Sequence, residues 1–221
     1  MRIVLYGATG RAGSRILTEL LRRGHQVVAI VRNLDKDPDK LAPNDGLTVQ
    51  QGDLSSVDGI VEAIGGAQAV VSAYGPPPDN TDQLVDVTRR EIAAVQQVSQ
   101  QAGSPEHAPR LIVVGGAGSL EVAPGVTLVS TKDFPAALKP IALAHEKALE
   151  LLRQSSIDWT YLSPSAFFDP GQRTGKFRLG QDELLTAPDG KSSISMEDYA
   201  IALVDELEQP QHRRQRFTVG Y

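Results

Sequence analysis

At 221 residues, with 41% hydrophobic and 22% charged residues, the chain can bury one good core and lacks the bias of disordered or fibrous sequences. A formal net charge of −5 leaves no basic footprint for a phosphate backbone, so nucleic acid is excluded as a principal partner. With no cysteine there are no disulfides, thiolate zinc sites or cysteine nucleophiles, and redox chemistry must come from a bound cofactor.

In chain order, Arg2–Tyr6 reads as a first strand running straight into glycine. No apolar stretch there is long enough for a signal peptide and none elsewhere spans a bilayer, so a cytoplasmic protein without membrane contact is expected. Ala12–Arg23 sets Ile16, Leu17, Leu20 and Leu21 on one helical face and stops at Gly24, a C-cap. Further strands are expected at Gln26–Val31, Leu47–Gln51, Ala69–Ser72, Arg110–Val114 and Trp159–Leu162. Helices are expected at Val57–Ile64, Asp82–Gln101 and Ala144–Gln154. Several strands are continuous apolar runs without alternation, as when both faces are covered by helices. This is the α/β pattern of a doubly wound parallel sheet, in a single domain over residues 1–221.

After Leu162 the pattern changes. Pro164, Pro170 and Gly171 precede Lys176–Leu179 and Leu184–Thr186, which predict a short hairpin or loops, a small substrate-side elaboration mainly over residues 163–195. Ser195-Met196-Glu197-Asp198 has the spacing of a capping box opening a last helix to about Leu207, with Arg216–Val219 as a final strand. The basic group His212, Arg213, Arg214 and Arg216 reads as a solvated surface.

The strongest motif is Gly7-Ala8-Thr9-Gly10-Arg11-Ala12-Gly13, placed directly after the first strand and before the first helix. In that context the glycines serve a tight turn, close approach of pyrophosphate and close helix–strand packing, and the helix N-terminus offers amides to phosphate. Arg32 stands 19 residues after Gly13, where an acidic residue would favour NAD, and its guanidinium suits a 2′-phosphate. With Arg11 closing from the other side, NADP(H) is the expected cofactor; Asp35 nearby keeps NAD(H) possible. Asp53 and Leu54 come after the third strand, where the carboxylate either accepts from the adenine amino group or caps a helix. Ser72, Ala73 and Tyr74 end the fourth strand, with small residues that let the cofactor pass, and Pro76-Pro77-Pro78 stiffens the next loop. His25 and His107 sit at loop edges, and no His, Asp and Glu grouping has metal-ligand spacing, so no metal is expected.

These residues resemble the atypical short-chain dehydrogenase/reductases, and among them small bacterial NAD(P)H-flavin reductases, over nearly the whole chain. The likeness rests on Gly7–Gly13, Gly52-Asp53-Leu54, the run from His145 to Thr160, Pro164–Phe168, Arg173–Lys176 and Glu197–Ala200. It extends less closely to the biliverdin reductase B and NmrA-like branches. The resemblance implies a Rossmann sheet, a nicotinamide cofactor and a small-molecule substrate over its carboxyl edge. It also exposes a departure: Ile141 falls where that family carries its catalytic tyrosine and His145 where it carries lysine. The serine usual after the fifth strand is displaced, since Gly115-Gly116-Ala117-Gly118 precede Ser119.

Losing an oxyanion donor costs roughly 3 kcal/mol of barrier, which disfavours reduction of an ordinary carbonyl. A flavin or similar conjugated acceptor spreads the added charge and needs positioning instead. The expected activity is therefore hydride transfer from NADPH to a flavin that is a substrate rather than a tightly bound group. Ser165, Phe167 and Phe168 are candidate substrate contacts, with Tyr74 as a second aromatic wall. His145 is either a ribose contact, a general acid or a helix-surface residue. The alternatives are a non-catalytic NADP(H)-sensing regulator of NmrA-like type and an enzyme resembling sugar-nucleotide epimerases or dehydratases, acting as a monomer or homodimer.

Overall fold

The computed structural model describes residues 1–34, 41–103 and 108–221; Asp35 and His107 lie outside the described residues. The elements are β1 (Arg2–Tyr6), α1 (Arg11–Arg22), β2 (Gln26–Val31), β3 (Leu47–Gln51), α2 (Val57–Ile64), β4 (Ala69–Ser72), α3 (Gln83–Gln101) and β5 (Arg110–Val114). The chain continues with β6 (Glu121–Ala123), β7 (Val126–Thr127), α4 (Lys139–Gln154), β8 (Trp159–Ser163), β9 (Phe167–Asp169), β10 (Arg178–Gly180), β11 (Ser193–Ser195), α5 (Met196–Glu208) and β12 (Gln215–Gly220). The central sheet has the order β3-β2-β1-β4-β5-β8-β12-β10, parallel throughout except for β10 at one edge. This is the doubly wound α/β architecture of the Rossmann fold. The strand order reverses between β1 and β4, the switch point where such sheets open a ligand crevice at their carboxyl ends.

Alternating residues of β1 divide the core. Ile3 and Leu5 face Ile16, Leu17 and Leu20 of α1 and Tyr199 and Leu203 of α5. Val4 and Tyr6 face Ile60 and Ile64 of α2, Val87 and Val95 of α3, and Leu149 and Leu152 of α4. Both faces being covered explains why the strands read as unbroken apolar runs. Each fully buried Leu, Ile or Val contributes roughly 1.5–3 kcal/mol, so the two layers fix the sheet that carries the site.

Three departures from the sequence pattern have physical causes. Helix α4 begins at Lys139 rather than Ala144, because Pro140 stands in its first turn, where a missing amide N–H costs nothing. The segment after β8 is not one hairpin of Lys176–Leu179 with Leu184–Thr186. Instead β10 pairs antiparallel with β12, β9 pairs parallel with β11, and Leu185 is buried against Gly180 and Gly220. The capping box is half formed: the Ser195 hydroxyl accepts from the Asp198 amide at 3.0 Å, but the Asp198 carboxylate turns to Thr174, Gly175 and Tyr221.

Candidate functional site

The loop from β1 to α1 is shaped by backbone contacts that leave no room for side chains. Gly7 has φ +79°, and a Cβ there would stand 2.3 Å from the Ala73 carbonyl oxygen. A Cβ at Gly13 would stand 2.0 Å from the Gly7 carbonyl oxygen, so the first turn of α1 rests directly on the loop. The Gly10 amide donates to Gly7 O at 2.9 Å and closes the turn. Among the described residues no side chain caps α1, and no acidic residue occupies its first turn. Its leading amides and positive dipole end are therefore available to an anion, and the glycine cradle fits the pyrophosphate of a dinucleotide.

A cleft of about 570 Å³ opens from this loop along the carboxyl ends of β2, β3 and β4. Gly7, Thr9 and Gly10 form its centre; Arg32, Asn33, Asp53 and Leu54 line one side, and Ala73, Tyr74 and Gly75 the other. Leu54 is buried beside Ile30 and Ile60, giving an apolar wall. Asp53 Oδ1 accepts from the Ser55 amide at 2.8 Å and the Ser55 hydroxyl at 2.5 Å, bonds that hold its carboxyl below the usual range. Asp53 thus shapes the turn into α2, whose N-cap is Ser56, while it lines the cleft. The Tyr74 hydroxyl donates to Gln83 Oε1 at 3.0 Å, which ties this wall to α3. Ser72 is buried beneath the lining as the hydrogen-bond partner of Glu91.

Two features escaped the sequence reading, one in the cleft lining and one buried behind it. Tyr6 forms part of the lining, and both its hydroxyl and Glu91 Oε1 are buried without a partner among the described residues. Burial pushes the Glu91 carboxyl up to about 7, with the Ser72 hydrogen bond opposing, and pushes the Tyr6 phenol above its ordinary range. Tyr6 could have been noticed as the residue directly before the glycine loop; Glu91 reads only as one polar position on an amphipathic helix.

The substrate-side candidates separate. Arg11 does not join Arg32 at the cleft lining; its Nη2 pairs with Asp169 Oδ1 at 2.7 Å, both side chains largely exposed. Ser165 is buried and its hydroxyl donates to Val219 O at 2.9 Å, so it is spent on joining β8 to β12 and is not presented to a substrate. Phe168 turns inward against Tyr199, with centroids 4.7 Å apart, and belongs to the core; this corrects its reading as a stacking wall. Phe167, on the opposite face of β9, is 59% exposed under the Lys191 ammonium, 5.9 Å from its ring centroid. Ser119 does not fill the missing serine position, because its hydroxyl accepts from Arg216 Nη1 at 2.9 Å. His145 packs beside Gly116, with Nδ1 3.1 Å from the Tyr161 hydroxyl, and burial pulls its pKa down to about 4. It is a neutral imidazole at neutral pH and lies outside the lining of the cleft.

The fold and the glycine cradle agree with a family-level match over residues 7–210 to NAD(P)H-binding proteins. The chain belongs to the NAD(P)H-binding family. Its cofactor is a nicotinamide dinucleotide. Bacillus subtilis YwnB is 41% identical over 99% of this chain and 98% of its own. A solved Bacteroides thetaiotaomicron structure, named as a candidate epimerase, is 41% identical with a TM-score of 0.88, covering 100% of this chain and 96% of that one. A Streptococcus pneumoniae structure, named as a candidate NADH-flavin reductase, is 34% identical with a TM-score of 0.85, covering 100% and 99%. The two solved relatives share this fold, while their names point to different reactions. Among the described residues, no helix is long and apolar enough to cross a membrane.

Proposed function

We propose that the protein is a cytoplasmic reductase that passes hydride from NADPH to a flavin or similar conjugated small molecule. The observation that carries this reading is the contrast between a complete nucleotide cradle and an acceptor side without a proton-donating pair. Ile141 replaces the tyrosine, His145 is neutral, and the Ser119 hydroxyl is held by Arg216. A carbonyl substrate would leave an alkoxide facing these groups without an acid, whereas a conjugated ring delocalises the charge and takes its proton from water. The name carried by the Streptococcus pneumoniae relative points the same way.

In this reading the nicotinamide supplies the hydride and the chain supplies binding and orientation. The α1 amides and Gly7–Gly13 hold pyrophosphate, Leu54 and Asp53 flank adenine, and Arg32 selects the 2′-phosphate by paired hydrogen bonds. Exposed Phe167 offers an apolar face to the acceptor ring.

The test is a titration of the protein with NADPH and with NADH, then addition of FMN while absorbance is read at the nicotinamide band. Tight NADPH binding with flavin-dependent oxidation is expected. Tight binding with no oxidation across a panel of flavins and quinones would sink the reductase reading and leave nucleotide sensing in its place.

A further inference from the structure

We propose that the pocket beside Phe167 is a binding site for an aromatic anion, with a conjugated ring laid on the Phe167 face and its phosphate held by the Lys191 ammonium. The pocket and its charge are features of the chain itself; naming the occupant as a flavin phosphate that accepts hydride rests on the reductase reading above.

Alternation along two short paired strands builds the pocket. In the parallel pair of β9 and β11, Phe167 stands opposite Ser193, Phe168 opposite Ile194 and Asp169 opposite Ser195. Phe168 and Ile194 pack into the core, which leaves Phe167, Asp169 and Ser193 on the outer face. With Thr174 and Tyr221 they border a pocket of about 390 Å³, at the small end of the roughly 300–1,000 Å³ of small-molecule sites. It adjoins the nucleotide cradle, because Asp169 in its wall pairs at 2.7 Å with Arg11 of the glycine loop.

A tight turn presents Lys191 to this pocket. The Ala187 amide donates to the Lys191 carbonyl oxygen and the Gly190 amide to the Ala187 carbonyl oxygen, both at 2.8 Å, with Gly190 at φ +82°. The Asp189 carboxylate accepts from the Lys191 amide at 3.0 Å, so it is engaged with the backbone of that lysine and not with its ammonium. The ammonium lies 5.9 Å from the Phe167 ring centroid, at the outer limit of a cation–π contact, and both residues are exposed. A contact so loose leaves room for a ligand to take over both groups.

The charges around the pocket leave this cation over. Asp169 pairs with Arg11; Glu197 pairs with Arg15 at 3.1 Å and accepts from the Gly171 amide at 2.7 Å. Asp198 accepts from the Thr174 and Gly175 amides and from the Tyr221 hydroxyl. Among the described residues no carboxylate pairs with the Lys191 ammonium. In a chain of net charge −5, an unpaired cation beside an exposed ring suits a ligand that carries an anion next to a flat apolar surface. Phosphate gives the lysine a charge-assisted partner and a conjugated ring covers Phe167 by offset stacking. A neutral ring uses half of such a site and a bare phosphate the other half. The nicotinamide end of the cofactor is also a ring beside a phosphate, but in the reading above the glycine cradle receives that phosphate, which leaves this pocket to the acceptor.

The experiment titrates the full chain, saturated with NADP⁺ so that nothing turns over, into FMN and into riboflavin, which share one ring system and differ by the phosphate, and follows flavin fluorescence. Wild type should bind FMN about fivefold more tightly than riboflavin, the scale of one exposed ion pair, and about 0.5 M salt should erase most of that preference. Lys191→Gln, a change at an exposed side chain, should bring FMN to the riboflavin value while the riboflavin and NADPH Kd values stay within about twofold. Phe167→Ala should weaken both flavins alike. Equal binding of the two flavins by wild type, binding of neither, or an FMN preference that survives Lys191→Gln overturns the proposal. Flavin binding untouched by Phe167→Ala overturns the stacking half. A loss of NADPH affinity in Lys191→Gln with FMN unaltered assigns the lysine to the cofactor and overturns the acceptor's place here. The reductase reading fails separately: phosphate-selective binding without NADPH oxidation sinks that reading and keeps the site, whereas oxidation of NADPH by flavins bound without preference keeps the reading and sinks the site.

Discussion

The two halves of the sheet's carboxyl edge are built from different materials. From β3 to β4 the core of the site is backbone, with side chains such as Arg32, Leu54 and Tyr74 along its walls: Gly7 against the Ala73 carbonyl, Gly13 against the Gly7 carbonyl, and uncapped amides at the start of α1. From β5 to β12 it is long side chains reaching across the chain. Arg173 forks onto Glu19 at 3.0 Å, the Thr174 amide reaches Asp198 at 2.7 Å, and Arg216 holds both Ser119 and Asp182. Burial works against the charge of Glu19, yet its bonds to Arg173, Arg22 and Arg23 hold its carboxyl well below the usual range. A site made of backbone accepts one ligand geometry and tolerates little change; a site made of side chains can alter its acceptor by substitution. The relatives fit that division, since they share this fold while their names point to different reactions.

The sharpest way to break the comparison is to put a side chain where the backbone site has no room. Gly13→Val should weaken NADPH binding by at least roughly a hundredfold and destabilise the protein by about 3 kcal/mol, since helix and loop must separate. Gly24→Ala is the control: Gly24 also has positive φ, +77°, but nothing lies within 4 Å of its added Cβ. It should cost only about 1 kcal/mol of backbone strain and leave binding unchanged. Fluorescence titration and thermal unfolding of both variants measure this, and equal effects on binding would refute a cradle made by close backbone contact.

The same division explains what could be read from the sequence. The glycine loop, the parallel strands and most of the crossover helices are local, and spacing plus periodicity locate them to within a residue or so, as at β1, β2 and α2, although the start of α4 lies five residues earlier than expected. Arg32 and Leu54 were legible because strand ends point into the crevice of any such sheet. The substrate side was not, because its geometry is set by partners far apart in sequence. Nothing near Ser165 announces that its hydroxyl is spent on Val219, and nothing near Phe168 says that Tyr199 covers it. Two adjacent phenylalanines on a strand must face opposite ways, however, so treating Phe167 and Phe168 as one wall overlooked a rule the sequence already contained.

A second test concerns the floor of the backbone half. Glu91 is held with a carboxyl near 7, so between the unfolded value near 4.5 and 7 the folded state binds more protons than the unfolded one. Stability from this group therefore falls as pH rises through that window, opposite to the common salt-bridged carboxylate. Glu91→Gln keeps a partner for Ser72 and removes the titration. The variant should match wild type near pH 4 and exceed it by about 3 kcal/mol at pH 8, in paired denaturant titrations. A gap independent of pH would mean that Glu91 does not titrate in this window.

The smallest effect is expected where the two halves touch, at the exposed pair of Arg11 in the glycine loop and Asp169 on β9. With side chains 66% and 67% exposed, the pair is screened by water, and Arg11→Ala should cost less than about 1 kcal/mol. Binding is the more informative readout. Arg32 lines the cleft and Arg11 does not, so Arg32→Ala should abolish most of the preference for NADPH over NADH while Arg11→Ala changes it less than about threefold. If Arg11→Ala instead loses tenfold for NADPH and nothing for NADH, Arg11 must leave Asp169 for the 2′-phosphate. The two-arginine grip suggested by the spacing of Arg11 and Arg32 would then belong to the liganded protein, with Asp169 as the anion that the phosphate displaces.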